Sequence, residues 1–282
     1  MKKYSLLRES IENWPQVRLL EAPLASHAEI ALAHEKEYID AVFTGQLEPS
    51  QMREIGFPWT PQMVIRSARS AGATIAACDA AWKDGVSANL AGGTHHAYSN
   101  KGSGFCVFND AAIAARVFQQ KYFATFERKP LVVIIDLDVH QGNGTAAILR
   151  NDPSIFTFSM HGEKNFPFRK ENSDLDIGLP DGCSDDMYLR ALEEGLEQIQ
   201  SLFNPDMMIY LAGADPFMDD RLGRLNLSFD GLAKRDFMVM QWAKRLSLPV
   251  AIAMAGGYGK NILDTVAIHT KTIEISIGNL WK

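Results

Sequence analysis

The chain has 282 residues, 46% of them hydrophobic and 22% charged, with a formal net charge of -6. That length suffices for one large buried core, and the composition is that of a globular protein. An acidic balance without a dense Lys/Arg block excludes a binder of nucleic-acid backbones, which needs a basic face. The opening, from Met1 to Trp14, breaks into charges within a few residues, so neither a signal peptide nor a membrane span is expected. Cys78, Cys106 and Cys183 stand apart without CxxC pairing. Free thiols in a reducing, cytoplasmic compartment follow from that spacing.

Apolar positions at three- and four-residue spacing predict a helix from His27 to Phe43. Thr60-Pro61 opens a second, Ala-rich helix that ends near Asp84-Gly85. A short strand, Ser87 to Ala91, precedes Gly92-Gly93, and Asn109 caps a helix running to about Tyr122. Leu131 begins an apolar strand, and another covers Ile155 to Ser159. A helix follows from Ser184 to Phe203, and Met207 to Gly213 and Val250 to Gly257 are two further apolar strands. Strands alternating with helices predict an α/β fold with a parallel sheet covered by helices on both faces. No repeat or Pro/Gly/Ser linker divides the chain, and residues 1–282 read as a single domain.

Ligands of such sheets bind outside the carboxyl ends of the strands. Every chemically loaded segment falls there: Gly92 to His96, Asp136 to His140, Ala214 to Pro216, and Gly256 to Tyr258. Asp138 and His140, two apart at the end of a strand, point the same way and can reach one point in space, with Asp136 behind them. With Asp215 they supply two carboxylates and one imidazole, a charge of about -2 that suits a divalent cation. Three protein ligands leave a position open, which marks a catalytic rather than a structural zinc site. Zinc, ferrous iron and cobalt all suit that donor set. His95 and His96, in succession after two glycines, can provide the base and the acid that amide hydrolysis needs. Tyr258 follows another Gly-Gly pair, whose backbone freedom lets the phenol reach toward the same place and stabilise an oxyanion.

GGTHHA, GFCVFND, DLDVHQGNGT, AGADP and GGY occur in that order. Together they resemble the motifs of the zinc-dependent histone deacetylases and their bacterial relatives. IGFPWTP near Ile55 and DRLGRLNLS near Asp220 extend the resemblance over nearly the whole chain, and the QGNG and DRLG forms are most similar to the class IV branch. The resemblance implies the arginase/deacetylase fold and zinc-dependent hydrolysis of N-acyl-lysine amides, acetyl or longer. Zn2+ would be held by Asp138, His140 and Asp215. His96 would be the general base and acid, His95 paired to Asp136 would assist, and Tyr258 would polarise the acyl carbonyl. A structural K+ would take backbone carbonyls of Asp136, Asp138, His140 and Met160, the Asp136 side chain and the Ser159 hydroxyl. Gly104 and Phe105 would form the wall of a substrate tunnel, faced by Phe166 or Phe168.

Two departures carry consequences. Asn143 stands where many relatives have an aspartate, so the partner of His96 is neutral, which lowers its pKa relative to a carboxylate partner. Near Trp59 to Pro61 nothing matches the rim aspartate with which several relatives grip substrate backbone. Selectivity for peptide sequence is therefore not expected, and an acylated protein and a small acylated amine such as an acetylated polyamine both stand as substrates. Two more readings are weaker. A non-catalytic binding module is disfavoured because His95, His96, Asp138, His140, Asp215 and Tyr258 are all present. A binuclear manganese hydrolase of the arginase type needs a further acidic residue that DLDVHQGNG lacks.

Overall fold

The computed structural model describes residues 2–278. Five helices precede the first strand: α1 (Lys2–Ile11), α2 (His27–Ile30), α3 (Lys36–Thr44), α4 (Pro49–Ile55) and α5 (Pro61–Asp84). Then come β1 (Val86–Asn89), α6 (Asp110–Phe126), β2 (Val132–Asp136), α7 (Asn143–Leu149), β3 (Ile155–Gly162) and β4 (Leu175–Leu179). The chain continues with α8 (Asp185–Leu202), β5 (Met207–Leu211), α9 (Phe229–Arg245), β6 (Val250–Ala253) and α10 (Ile262–Gly278).

The six strands form one sheet in the order β1-β6-β5-β2-β3-β4, and every pairing is parallel. The apolar runs alternate between two cores. Val132, Ile134, Met207, Ile209, Ala251 and Ala253 pack on one face, against residues of α5 and α6. Val133, Ile135, Met208, Tyr210, Val250 and Ile252 pack on the other, against residues of α8, α9 and α10. Burial on both faces is why these strands read as unbroken hydrophobic segments rather than alternating ones. After β2 the chain proceeds to β3 on one side, whereas β5 lies on the other side of β2 and leads to β6. The crevice between the ends of β2 and β5 is therefore a topological switch point, where such sheets bind ligands.

Local signals place the longer helices well. Thr60 accepts the Met63 N–H at 3.0 Å and Pro61 occupies the first turn of α5. Asn109 accepts from the Ala112 N–H at 3.0 Å at the start of α6. The predicted helix from His27 to Phe43 is instead broken into α2 and α3. Glu35 between them is extended and donates its N–H to the Ser99 carbonyl at 2.8 Å, while His34 Nε2 accepts the Asn109 N–H at 2.9 Å. Contacts with distant loops override the local periodicity here. The strands predicted to run to Gly213 and Gly257 stop at Leu211 and Ala253. The three cysteines are buried free thiols. Among the described residues, no helix is long and apolar enough to cross a membrane.

Candidate active site

β2 ends at Asp136, so Asp138 and His140 lie beyond the pleat rather than on it. They converge by local turns instead: the Asp138 N–H donates to Asp136 Oδ1 at 3.2 Å and the His140 N–H to Asp138 Oδ1 at 2.9 Å. The Val139 N–H, from the same loop, holds Asp215 Oδ1 at 2.9 Å, and the Gly256 N–H holds Asp138 Oδ2 at 2.8 Å. The ends of β2, β5 and β6 are thereby tied together. One ligand atom from each of Asp138, His140 and Asp215 lies within 4.8 Å of the others.

This donor set fits a dication. Asp215 Oδ2 is buried without a hydrogen-bond partner, the state of a carboxylate oxygen awaiting a ligand. Burial, and then the neighbouring Asp138 carboxylate, push the Asp215 pKa up to about 6. Burial also opposes ionisation of Asp138, but His95 and His140 outweigh it and hold that carboxyl well below its ordinary range. A Cβ at position 256 would lie 2.0 Å from Asp215 Oδ2, so only glycine leaves this cradle open.

The two histidines beside the cradle have opposite partners. His95 Nδ1 lies 2.6 Å from Asp136 Oδ2. Burial disfavours its charge, yet Asp136 and Asp138 more than compensate and raise its pKa to about 9. His96 Nδ1 lies 2.7 Å from Asn143 Oδ1. Burial and the adjacent His95 drive its pKa well below the ordinary histidine value. An amide oxygen can only accept, so His96 carries its proton on Nδ1 and keeps a lone pair on Nε2. Asn143 is itself oriented, its Nδ2 donating to Tyr98 Oη at 2.9 Å.

A cavity of about 860 Å³ rises from this floor. Phe105 and Phe166 line it, as do Gly104, Tyr4 and Tyr258. Phe105 is 51% exposed, has a φ of 67° and stacks on Phe57 with ring centroids 6.4 Å apart. A Cβ at position 104 would meet His96 Cδ2 at 2.5 Å, which explains glycine there. Of the two candidates for the facing aromatic, Phe166 sits edge-on to His96 at 4.9 Å, whereas Phe168 is largely exposed. Tyr258 lies 6.2 Å from the Phe105 ring, and burial raises its pKa.

A family model described as the histone deacetylase domain matches residues 2–273. The chain belongs to the zinc-dependent histone deacetylase family. Histone deacetylase 2 of Arabidopsis thaliana is 29% identical over 259 residues, covering 88% of this chain and 65% of that protein. An uncharacterized protein of Picosynechococcus is 44% identical over 253 residues, covering 90% of this chain and 83% of its own length. The crystal structure of a histone deacetylase homologue from Aquifex aeolicus superposes with a TM-score of 0.82 at 26% identity, covering 97% of this chain and 77% of that one. A homologue complexed with SAHA gives the same TM-score of 0.82. The sheet is thus that of the arginase/deacetylase fold.

In this chain His95, His96, Asp138, His140, Asn143, Asp215 and Tyr258 line one cavity, with Asp136 behind His95. Asp136 and Ser159 are register partners across β2 and β3, and Met160 follows in β3. Ser159 Oγ lies 3.0 Å from His161 Nδ1. Lys3 carries no signal in the sequence. Its Nζ donates to the carbonyls of Ala255 at 3.2 Å and Gly257 at 3.3 Å, 5.3 Å from the Tyr258 ring centroid. Burial lowers its pKa. It props the Gly256-Gly257-Tyr258 loop from a helix more than 250 positions away, which no local pattern can reveal.

The His96–Asn143 contact makes a kinetic prediction. Asn143→Asp puts a carboxylate on Nδ1, which stabilises the imidazolium and raises the His96 pKa. The acidic limb of the kcat/KM profile, where the base must be neutral, moves to higher pH by about one unit. An unmoved limb would count against His96 as the titrating base.

Proposed function

We propose that the protein is a zinc-dependent hydrolase of N-acyl-lysine amides, acetyl or longer, of class IV character. The observation that carries this is the meeting of Asp138, His140 and Asp215 at the floor of an aromatic-walled cavity, beside one histidine paired to Asp136 and one paired to Asn143. Asp138, His140 and Asp215 would hold zinc, which would supply Lewis-acid polarisation of the acyl carbonyl and acidify water.

The chain's own residues do the rest. Neutral His96 takes a proton from water on Nε2 and delivers it to the departing lysine amine. Positive His95, held by Asp136, adds a fixed charge that favours the developing oxyanion. Tyr258 donates its phenol proton as a hydrogen bond to the acyl oxygen, and Lys3 keeps its loop in place. Phe105 and Phe166 flank the apolar stem of the acyl-lysine, with Gly104 letting the chain pass close to His96. Potassium is assigned to the carbonyls of Asp136, Asp138, His140 and Met160, the Asp136 carboxylate and the Ser159 hydroxyl. The β2–β3 register, which sets Asp136 beside Ser159, supports that set. Residues 1–282 form a single catalytic domain acting in the cytoplasm on this reading.

The test is turnover by the zinc-loaded protein of acetyl-lysine peptide, myristoyl-lysine peptide and acetylated polyamine. At least one lysine peptide is expected to be cleaved, with loss on chelation and recovery on adding zinc. Turnover of the polyamine alone would remove lysine as the substrate, and no turnover of any by zinc-loaded protein would remove the hydrolase. SAHA, bound by the related homologue, serves as an inhibitor control.

A further inference from the structure

The mouth of the cavity is basic although the chain is acidic overall, with a formal net charge of -6. Arg53 on α4, Lys101 after β1, Lys164 and Arg169 after β3, and Arg224 after β5 all line it. Glu54 is the carboxylate that shares this rim, since Asp138 and Asp215 lie buried on the floor. Two of the cations are partly neutralised: Lys101 Nζ is 3.1 Å from Glu54 and Arg224 is 3.4 Å from Asp181. Arg53, Lys164 and Arg169 are exposed and have no ion pair or side-chain hydrogen bond among the described residues.

The segments that carry these charges are anchored. Lys170 Nζ donates to the carbonyls of Asn165 at 2.7 Å and Pro167 at 2.6 Å, which closes the loop bearing Lys164 and Arg169 on itself. Asn165 Nδ2 donates to the Leu222 carbonyl at 2.7 Å and ties that loop to the one bearing Arg224. Anchored like charges around a cleft focus potential and select the sign of what enters. They act over about 8 Å at physiological salt, the span of the residues flanking an inserted lysine.

We propose that this rim selects acyl-lysines set in acidic sequence, with Asp or Glu on either side of the modified residue. The proposal rests on the hydrolase reading above and names its substrate class. The remaining amines of an acetylated polyamine are cations and would be repelled by the same groups.

The experiment compares three acyl-lysine peptides that differ only in carrying acidic, neutral or basic flanks, with zinc-loaded protein at low and high salt. The acidic peptide is expected to exceed the neutral one by about tenfold in kcat/KM, mainly through KM, and the basic peptide to fall below it. High salt should compress the series. In Lys164→Glu/Arg169→Glu the ratio of acidic to basic turnover is expected to invert. Equal kcat/KM for all three peptides, or an unchanged ratio in the double variant, would overturn the rim proposal while leaving the hydrolase intact. Failure to cleave any of the three would overturn both.

Discussion

Asp215→Asn is expected to strip zinc from the protein and to lower deacylation by about a thousandfold or more, the scale on which loss of a key electrostatic or acid–base group acts. Asp215 Oδ1 is already engaged by the Val139 N–H at 2.9 Å, so Oδ2, buried without a hydrogen bond and 3.4 Å from His140 Nδ1, is the oxygen left for the metal. Asparagine keeps the shape but removes the charge, leaving Asp138 as the remaining anionic ligand against a dication. The metal-free variant should be at least as stable as the metal-free parent, because one of two adjacent buried carboxylates has gone. The parent should gain about 2.7 kcal/mol when zinc is present at a hundred times its Kd, and the variant should gain almost none. Zinc content by elemental analysis and urea unfolding with and without zinc check both halves. A variant that retains one tightly bound zinc and parental turnover would refute the assignment of Asp215 as a ligand.

Arg235→Met carries the largest expected effect on stability, about 3–5 kcal/mol. Arg235 is fully buried on α9, its Nε donating to Asp236 Oδ1 at 2.9 Å. Tyr210 from β5 and Thr272 from α10 donate to the same carboxylate, at 2.5 and 2.6 Å. Removing the guanidinium strands a buried anion, whereas Arg235→Met/Asp236→Leu removes both charges and should recover much of the loss. The guanidinium has a second task. Its Nη1 donates to the Gly213 carbonyl at 2.6 Å and approaches the Leu137 carbonyl at 3.4 Å. Gly213 stands two residues before Asp215, and Leu137 directly precedes Asp138. Arg235 therefore braces both strand ends that carry the proposed metal ligands, and outer support of this kind is worth about 10–100-fold in metal affinity. The double variant should regain stability but not zinc affinity, measured by competition with a chelating dye. Parental zinc affinity in the double variant would confine Arg235 to a role in stability.

The elements differ in how far local chemistry decides them. β2, β5 and β6 are legible because strands buried on both faces must be continuously apolar. α5 and α6 are legible because Thr60-Pro61 and Asn109 satisfy orphan N–H groups at their starts. α7 is not, because its first turn is the Gly-rich segment after His140 and its stability comes from burial. β4 hides as well: its charged and small residues suit a sheet edge and resemble a loop.

The sequence by itself determined the chemistry: which carboxylates, imidazoles and phenol are available, and their placement after apolar strands. These depend on residue type and on spacing along the chain, both of which are local. Only the tertiary structure decided that Phe166 packs edge-on to His96, that Lys3 and Arg235 brace the floor from distant parts of the chain, and that the rim is basic. Each of those depends on residues far apart in sequence. Their meeting is fixed by strand order and loop packing, which no local pattern encodes.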